Sequence, residues 1–276
     1  MGPGSYGDQE TGSSPYAVVV DKQVTILSRE GAESTVINVR DTGRWPVKIF
    51  ASHVVFGLPG HGFTLVANLN LPFSGISVQE GAADVTIAGN VVSGFTRGID
   101  VAGDHGLIIE NTVTGNDEGF NSHGLRNTVT GNLANGNFGV GGMVIGGSGQ
   151  LLTGNVCNGN TFTGIRVASG AGHRIEDNVA VGNGNEAVSL DAGGRATVTG
   201  NDLFGTGSHC GLRNTGNLGI RATGNYWGSA AGPGVAPGDG LCSAAGATTD
   251  ISGWRRKPVG NPLDRDRRRG HSDSEC

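Results

Sequence analysis

Apolar residues in this chain fall in short runs of three to five, alternating with polar ones, and the runs recur at a near-constant interval. One recurring phrase is apolar, small, Asn. It reads Ile87-Ala-Gly-Asn90, Ile109-Glu-Asn111, Val129-Thr-Gly-Asn132, Leu152-Thr-Gly-Asn155, Ile175-Glu-Asp-Asn178, Val198-Thr-Gly-Asn201 and Ala222-Thr-Gly-Asn225. Successive asparagines stand 21, 21, 23, 23, 23 and 24 residues apart. A second phrase, Gly-apolar-X-apolar, keeps step with the first: Gly75-Ile-Ser-Val78, Gly98-Ile-Asp-Val101, Gly119-Phe-Asn-Ser122, Gly142-Met-Val-Ile145, Gly164-Ile-Arg-Val167, Ala187-Val-Ser-Leu190 and Gly211-Leu-Arg-Asn214.

Alternation over three to five residues is a strand signal, and no window carries a 3.6-residue stripe of helical length. A period of 21–24 residues accommodates three short strands and their turns. Stacked at about 4.8 Å, such units form a solenoid in which each strand pairs with its counterpart one coil away. The pattern therefore predicts an all-β parallel β-helix in which Ile99, Phe120, Met143, Ile165 and Val188 form a single file. The recurrent asparagines are expected at sharp turns, in the left-handed conformation that Asn tolerates, stacked as a ladder of amides. A leucine-rich repeat has a similar period, but it needs Leu-rich runs and a helical stretch that this chain lacks. Calcium-binding nonapeptide repeats are excluded by the period and by the missing Gly-Gly-x-Gly-x-Asp.

Four segments are expected: an irregular lead-in over 1–15, the β-helix over 16–228, a loop-rich cap over 229–254 with Trp227 and Trp254 as plugs, and a disordered polar tail over 255–276 containing Arg265, Arg267, Arg268 and Arg269. Composition fits a thin core: glycine accounts for 52 of 276 residues, and apolar residues for only 36%. Net charge is −5, with no basic stripe interleaved with aromatics, so nucleic acid is not an expected partner. No apolar stretch is long enough to insert in a membrane. The first residues carry neither a basic nor an apolar signal region. Cys157, Cys210, Cys242 and Cys276 have no CxxC spacing and leave their pairing open.

These phrases resemble the repeats of the pectate-lyase-like superfamily, in particular the bacterial right-handed parallel β-helix proteins that include the NosD-like group. The opening stretch Val18-Val-Val-Asp-Lys-Gln-Val-Thr-Ile-Leu27 and the closing Asn225-Tyr-Trp-Gly228 resemble the first and last coils of that group. The resemblance implies a right-handed, single-stranded solenoid, a secreted, periplasmic or cell-surface location, and a polysaccharide partner along the outward face of the Gly-apolar-X-apolar strand. No cofactor is evident; calcium is the one that the pectate-lyase branch implies. Family motifs are incomplete. Gly60-His-Gly62 matches one polygalacturonase element without its Asp-Asp, Arg174-Ile-Glu176 breaks another, and the Asp-Pro-His of mannuronan epimerases is absent, with Asn121-Ser-His123 in a loosely similar place.

In the strand phrase the X residues line up as one outward row: Ser77, Asp100, Asn121, Val144, Arg166, Ser189 and Arg213. Asp100, Asp117, Glu118, His123 and Arg166 are the candidate catalytic residues, since an imidazole, a carboxyl pair and a cation suit acid–base work on a sugar ring. Ser77, Asn121, Ser189, Asp191 and Arg213 are the candidate substrate-binding residues. His105, His173 and His209 lie on different turns and give no reason to expect a metal. Two readings stay open: a lyase, epimerase or glycoside hydrolase of a uronic-acid-containing polysaccharide, and a non-catalytic scaffold, adhesion or NosD-like accessory protein. A walled groove with a perturbed carboxyl favours the first and a flat, solvated row the second.

Overall fold

The structure is a computed structural model that describes residues 1–6, 16–39, 45–68, 74–216, 219–244 and 247–260. Among these residues there is no helix, and the paired strands are parallel. The chain winds as a three-faced β-helix.

The first face is built by the Gly-apolar-X-apolar strands. Its ten rungs begin with Tyr16–Val20, Trp45–Ile49, Ser74–Val78, Arg97–Val101 and Glu118–Ser122. They continue through Gly141–Ile145, the leading halves of Thr163–Glu176 and Glu186–Thr199, and Cys210–Asn214 to Gly240–Ser243. Register is continuous: Ile76, Ile99, Phe120, Met143, Ile165, Val188 and Leu212 are paired in succession. All seven are buried, so the expected file of apolar side chains is the core. The glycine opening the phrase is needed because that position faces the next coil. A Cβ on Gly164 would stand 2.7 Å from the Ala187 carbonyl oxygen.

The second face carries the strand just before each recurrent asparagine, from Thr25–Ile26 through Thr86–Ala88, Leu107–Ile109, Thr128–Thr130 and Leu151–Thr153. Two 14-residue strands, Thr163–Glu176 and Glu186–Thr199, run from the first face onto the second. The third face follows the asparagine, with Thr64–Val66, Val91–Ser93 and Thr112–Val113 in its middle. Segments at both ends extend the solenoid. Gly4–Tyr6 pairs with Thr35–Asn38, Gly240–Ser243 forms the last rung, and Thr249–Asp250 pairs with Ile220–Arg221. A disulfide joins Cys210 to Cys242, and Cys157 is a buried thiol. Trp227 is buried as a plug; Trp254 is not, being 42% exposed against Gly232. Arg255 reaches Asp177, and the Val259 amide donates to Asp202. Arg265, Arg267, Arg268 and Arg269 lie outside the described residues.

The corner after the second face corrects one expectation. The asparagine is not the left-handed residue. The residue before it is: Gly89, Glu110, Gly131, Gly154, Asp177, Gly200 and Gly224 all have φ between 52° and 73°. That bend turns the asparagine inward, where its amide works along the solenoid axis. Asn155 Oδ1 accepts from the backbone and side-chain nitrogens of Asn132, at 2.9 and 3.0 Å. Asn155 Nδ2 donates to the Val129 carbonyl at 2.8 Å and to Asn178 Oδ1 at 2.9 Å. The same links run from Asn90 to Asn225. A second column, Asn116, Asn137, Asn160 and Asn183, repeats this arrangement at the next corner. The third corner carries the column Asn127, Gln150 and His173, also buried. There His173 Nδ1 accepts from the Gln150 amide and Nε2 donates to the Ser169 carbonyl, and burial lowers its proton affinity.

These columns satisfy backbone groups that three tight corners would otherwise leave bare, and an unpaired buried group costs about 1–3 kcal/mol. Asn155→Ala removes the partners of the Asn132 amide and the Val129 carbonyl together, so it is expected to destabilise by about 3 kcal/mol or more. Asn135→Ala is the control. Asn135 is half-buried and, among the described residues, its side chain accepts only the Asn158 amide, where water substitutes, so its loss should cost under about 1 kcal/mol. Denaturant unfolding of the two variants checks the difference.

Candidate functional site

The outward row of the first face has the order expected. Lys48, Ser77, Asp100, Asn121, Val144, Arg166, Ser189 and Arg213 occupy successive rungs. The row is not a flat solvated surface: Ser77, Val144 and Ser189 are 2%, 8% and 5% exposed beneath longer neighbours.

Polar groups gather at two places. The first spans the rungs of Asp100 and Glu118. Arg97, at the start of its strand, lies 3.7 Å from Asp100 Oδ2 through Nη1 and 3.2 Å from Glu118 Oε2 through Nε. The Asn121 amide donates to Glu118 Oε2 at 3.0 Å. That bond orients the amide so that its oxygen meets His123 Nδ1 at 3.1 Å. A carbonyl oxygen only accepts, so Nδ1 carries the proton and Nε2 keeps the lone pair of the neutral ring. His123 Nδ1 is also 3.8 Å from Asp100 Oδ1. This carboxylate oxygen is buried and accepts no hydrogen bond, while Ser74 donates to the other oxygen at 3.4 Å. Burial raises the proton affinity of Asp100 above its ordinary 3.8, and the Glu118 charge adds to that; Arg97, His123 and Ser74 oppose it without cancelling it. A cleft of about 200 Å³ opens here, walled by Trp45, Lys48 and Gln79. The Lys48 ammonium sits 4.5 Å from the Trp45 ring centroid.

The second place lies on the rungs of Arg166, Ser189 and Arg213. Arg166 binds Asp191 Oδ2 through Nη2 and Nε at 2.6 and 2.9 Å, and Arg213 Nε binds Glu186 Oε1 at 2.5 Å. The other Glu186 oxygen accepts from the Thr163 hydroxyl at 2.8 Å. A cleft of about 370 Å³ adjoins these pairs, with Val140 and Phe162 on its lip.

The candidate catalytic set therefore divides. Asp100, Glu118 and His123 come together, with Asn121 between the last two. Arg166 does not join them: it stands three rungs from Asp100, about 14 Å along the axis, and turns toward Asp191. Asp117 is exposed in the turn, its carboxylate against Gly139 of the next coil, and no described ion pair involves it. Of the candidate binding residues, Ser77 receives the Gln79 amide beside Asp100 at 2.7 Å, whereas Ser189, Asp191 and Arg213 belong to the second place. Arg97 and Lys48 were not among the candidates. Arg97 was visible in the sequence as the cation opening the Asp100 strand, and Lys48 was hidden by an opening coil that lacks the glycine of the phrase. Among the described residues no three His, Cys, Asp or Glu side chains converge on a metal position. The guanidinium of Arg97 lies between Asp100 and Glu118 and supplies the positive charge there. His61 is remote from this face, with its Nδ1 3.2 Å from the Ser28 carbonyl. His209 is at the opposite end, 3.6 Å from the buried Asp239.

The turn leading into the first face varies in length. Two residues separate the second-column residue from the glycine of the phrase in Phe95-Thr-Arg-Gly98 and Asn116-Asp-Glu-Gly119. Four do so in Asn137-Phe-Gly-Val-Gly-Gly142, and three in Asn160-Thr-Phe-Thr-Gly164. The inserted residues supply the exposed Phe138, Val140 and Phe162.

A family model described as the right-handed β-helix region matches residues 74–226. No curated protein matches the chain in sequence. In fold it is similar to the A-module of mannuronan C-5 epimerase AlgE4 of Azotobacter vinelandii, at 16% identity, covering 94% of this chain and 90% of that one with a TM-score of 0.59. It is similar to the periplasmic alginate epimerase AlgG, at 13% identity over 87% of this chain and 78% of that one, TM-score 0.50. It also resembles the Dettilon tailspike protein, at 13% identity over 86% and 61% of the two chains, TM-score 0.50. At these identities the likeness is one of fold. The family match covers more than half of the chain and takes in the coils that carry both polar places, and the protein belongs to the right-handed β-helix family.

Proposed function

We propose that this protein is an extracytoplasmic enzyme that binds a uronic-acid-containing polysaccharide along its first face and removes the proton beside a sugar carboxylate at the Asp100–His123 cluster. The observation that carries the reading is the relay Glu118–Asn121–His123, which leaves Nε2 as a base beside a half-buried carboxyl of raised proton affinity. Two of the fold neighbours are named as alginate-type epimerases, which makes a uronan the first substrate to try.

His123 Nε2 takes the proton from the carbon bearing the carboxylate. The electron pair moves into that carboxylate as an enediolate, and Arg97 and Lys48 supply the cations that stabilise it. Collapse in one direction expels the glycosidic oxygen from the adjacent carbon, with Asp100 supplying the proton that oxygen needs, and leaves an unsaturated sugar. Collapse with a proton taken from solvent water on the opposite face inverts the carbon instead, and His123 then loses its proton to solvent. Glu118 and Asn121 touch no reacting atom; they hold the imidazole tautomer.

His123→Ala is expected to lower turnover of a uronan by about a hundredfold or more, the usual contribution of a positioned base. Asn121→Leu should lower it less and broaden its pH profile. Ultraviolet absorbance of unsaturated ends, with and without calcium, and proton NMR of inverted residues are the readouts. Retention of full activity by His123→Ala would overturn the assignment.

The raised proton affinity of Asp100 has a sign that can be checked. A carboxyl that holds its proton more tightly in the folded chain contributes stability below the unfolded value, and loses it as pH rises through the folded one. Relative to the native chain, Asp100→Asn is therefore expected to gain stability between pH values below 3.8 and neutrality. In NMR titrations the Asp100 carboxyl should titrate above 3.8, and higher still in Arg97→Ala, which removes its largest opposing charge.

A further inference from the structure

The second cleft differs in character from the Asp100 cluster, although both open on the same face. Its charges are already matched: Arg166 is held by Asp191 through two nitrogens, and Arg213 by Glu186. Neither guanidinium is poised to receive a carboxylate as the Lys48 ammonium is, which rests on the Trp45 ring with no described carboxylate beside it. The lip is apolar, with Phe162 45% and Val140 38% exposed. The polar groups at the cleft that suit hydroxyl or amide partners are Asn185, Glu186 and Ser189. An aromatic ring and a valine beside hydrogen-bonding groups without net charge suit an uncharged sugar that carries an apolar substituent.

Spacing couples this cleft to the proposed reaction. Asp100 and Arg166 are three rungs apart, about 14 Å. A glycan laid along the axis advances by roughly one pyranose per rung of about 4.8 Å; the cleft runs from Val140, two rungs beyond Asp100, to Ser189, four beyond, and its middle at Phe162 and Arg166 meets the third residue from the one at Asp100. In a polymer of two strictly alternating sugars, residues three apart are of opposite kind.

We propose that the Val140–Phe162 cleft seats an N-acylated, uncharged hexose while a uronate occupies the Asp100 cluster, so that the substrate alternates the two sugars. The proposal rests on the uronan reading above and names its substrate class. The acyl methyl lies against Phe162 and Val140, and the acyl amide meets Asn185 or Glu186.

The test uses the full chain carrying His123→Ala, so that no probe is consumed. Equal-length oligosaccharides of hyaluronan, which alternates glucuronate with N-acetylglucosamine, and of a glucuronate homopolymer are titrated by calorimetry. The alternating oligomer is expected to bind about tenfold more tightly, the gain from burying one acyl group on an aromatic lip. Adding Phe162→Ala should remove most of that preference. Val140→Thr, a milder change at the same lip, should remove part of it. Equal affinity for the two oligomers, or a preference that survives in both lip variants, overturns this proposal and leaves the uronan reading standing. Failure of both oligomers and of alginate to bind overturns the uronan reading and this one with it.

Discussion

Hydrogen bonding along the solenoid axis is the constraint from which the rest of this molecule follows. Each coil is too thin to hold a core by itself, and its backbone turns three times within some two dozen residues. The amides of Asn90 through Asn225 and of Asn116 through Asn183 take up the nitrogens and carbonyls that those turns expose. In doing so they lock each coil in rotation over the last. The apolar file from Ile76 to Leu212 and the outward row from Ser77 to Arg213 are both products of that lock.

The cluster at Asp100 depends on the same lock. Asp100 and Asn121 share a register position one rung apart; Glu118 opens the Asn121 strand and His123 follows directly after its last residue, Ser122. Three of the four polar side chains thus stand on paired strands, and the fourth, His123, on the residue that follows one of them. A half-buried carboxyl beside a guanidinium and an imidazole keeps its proton longer than an exposed one, because water is displaced while the opposing charges are only partly effective. Farther along the row, similar residue types pair off as Arg166–Asp191 and Arg213–Glu186, and their charge is spent on each other.

Much of this was legible in the sequence, since a repeat dictates one coil seven times over. The period, the strand phrase, the file of Ile99, Phe120, Met143, Ile165 and Val188, and the row order could all be read from spacing. The role of the asparagines was read only in part. Asn tolerates left-handed backbone, but here that conformation falls on the preceding residue, even where it is Glu110 or Asp177, because an inward-turned amide satisfies buried groups and an outward one would not. The second column was written in the chain as an Asn five places after Asn111, Asn132, Asn155 and Asn178, and its regularity was masked by the first. Spacing placed Arg166 on its rung but does not report the neighbour, Asp191, toward which its long side chain bends. Disulfide pairing of Cys210 with Cys242 depended on the last rung, whose glycine-rich lead hides it from any pattern.

The turn leading into the first face is one place where coil length changes, from two linking residues at Asn116 to four at Asn137. The amide columns on either side do not register the difference, since Asn137 and Asn160 bond as Asn116 and Asn137 do. Insertions at that one hinge are thus mechanically silent for the stack, yet each reshapes the rim of the groove. Such a scaffold separates heritable variation in specificity from variation in stability: a lineage can lengthen, shorten or recolour one lip at a time while the spine goes on assembling unchanged.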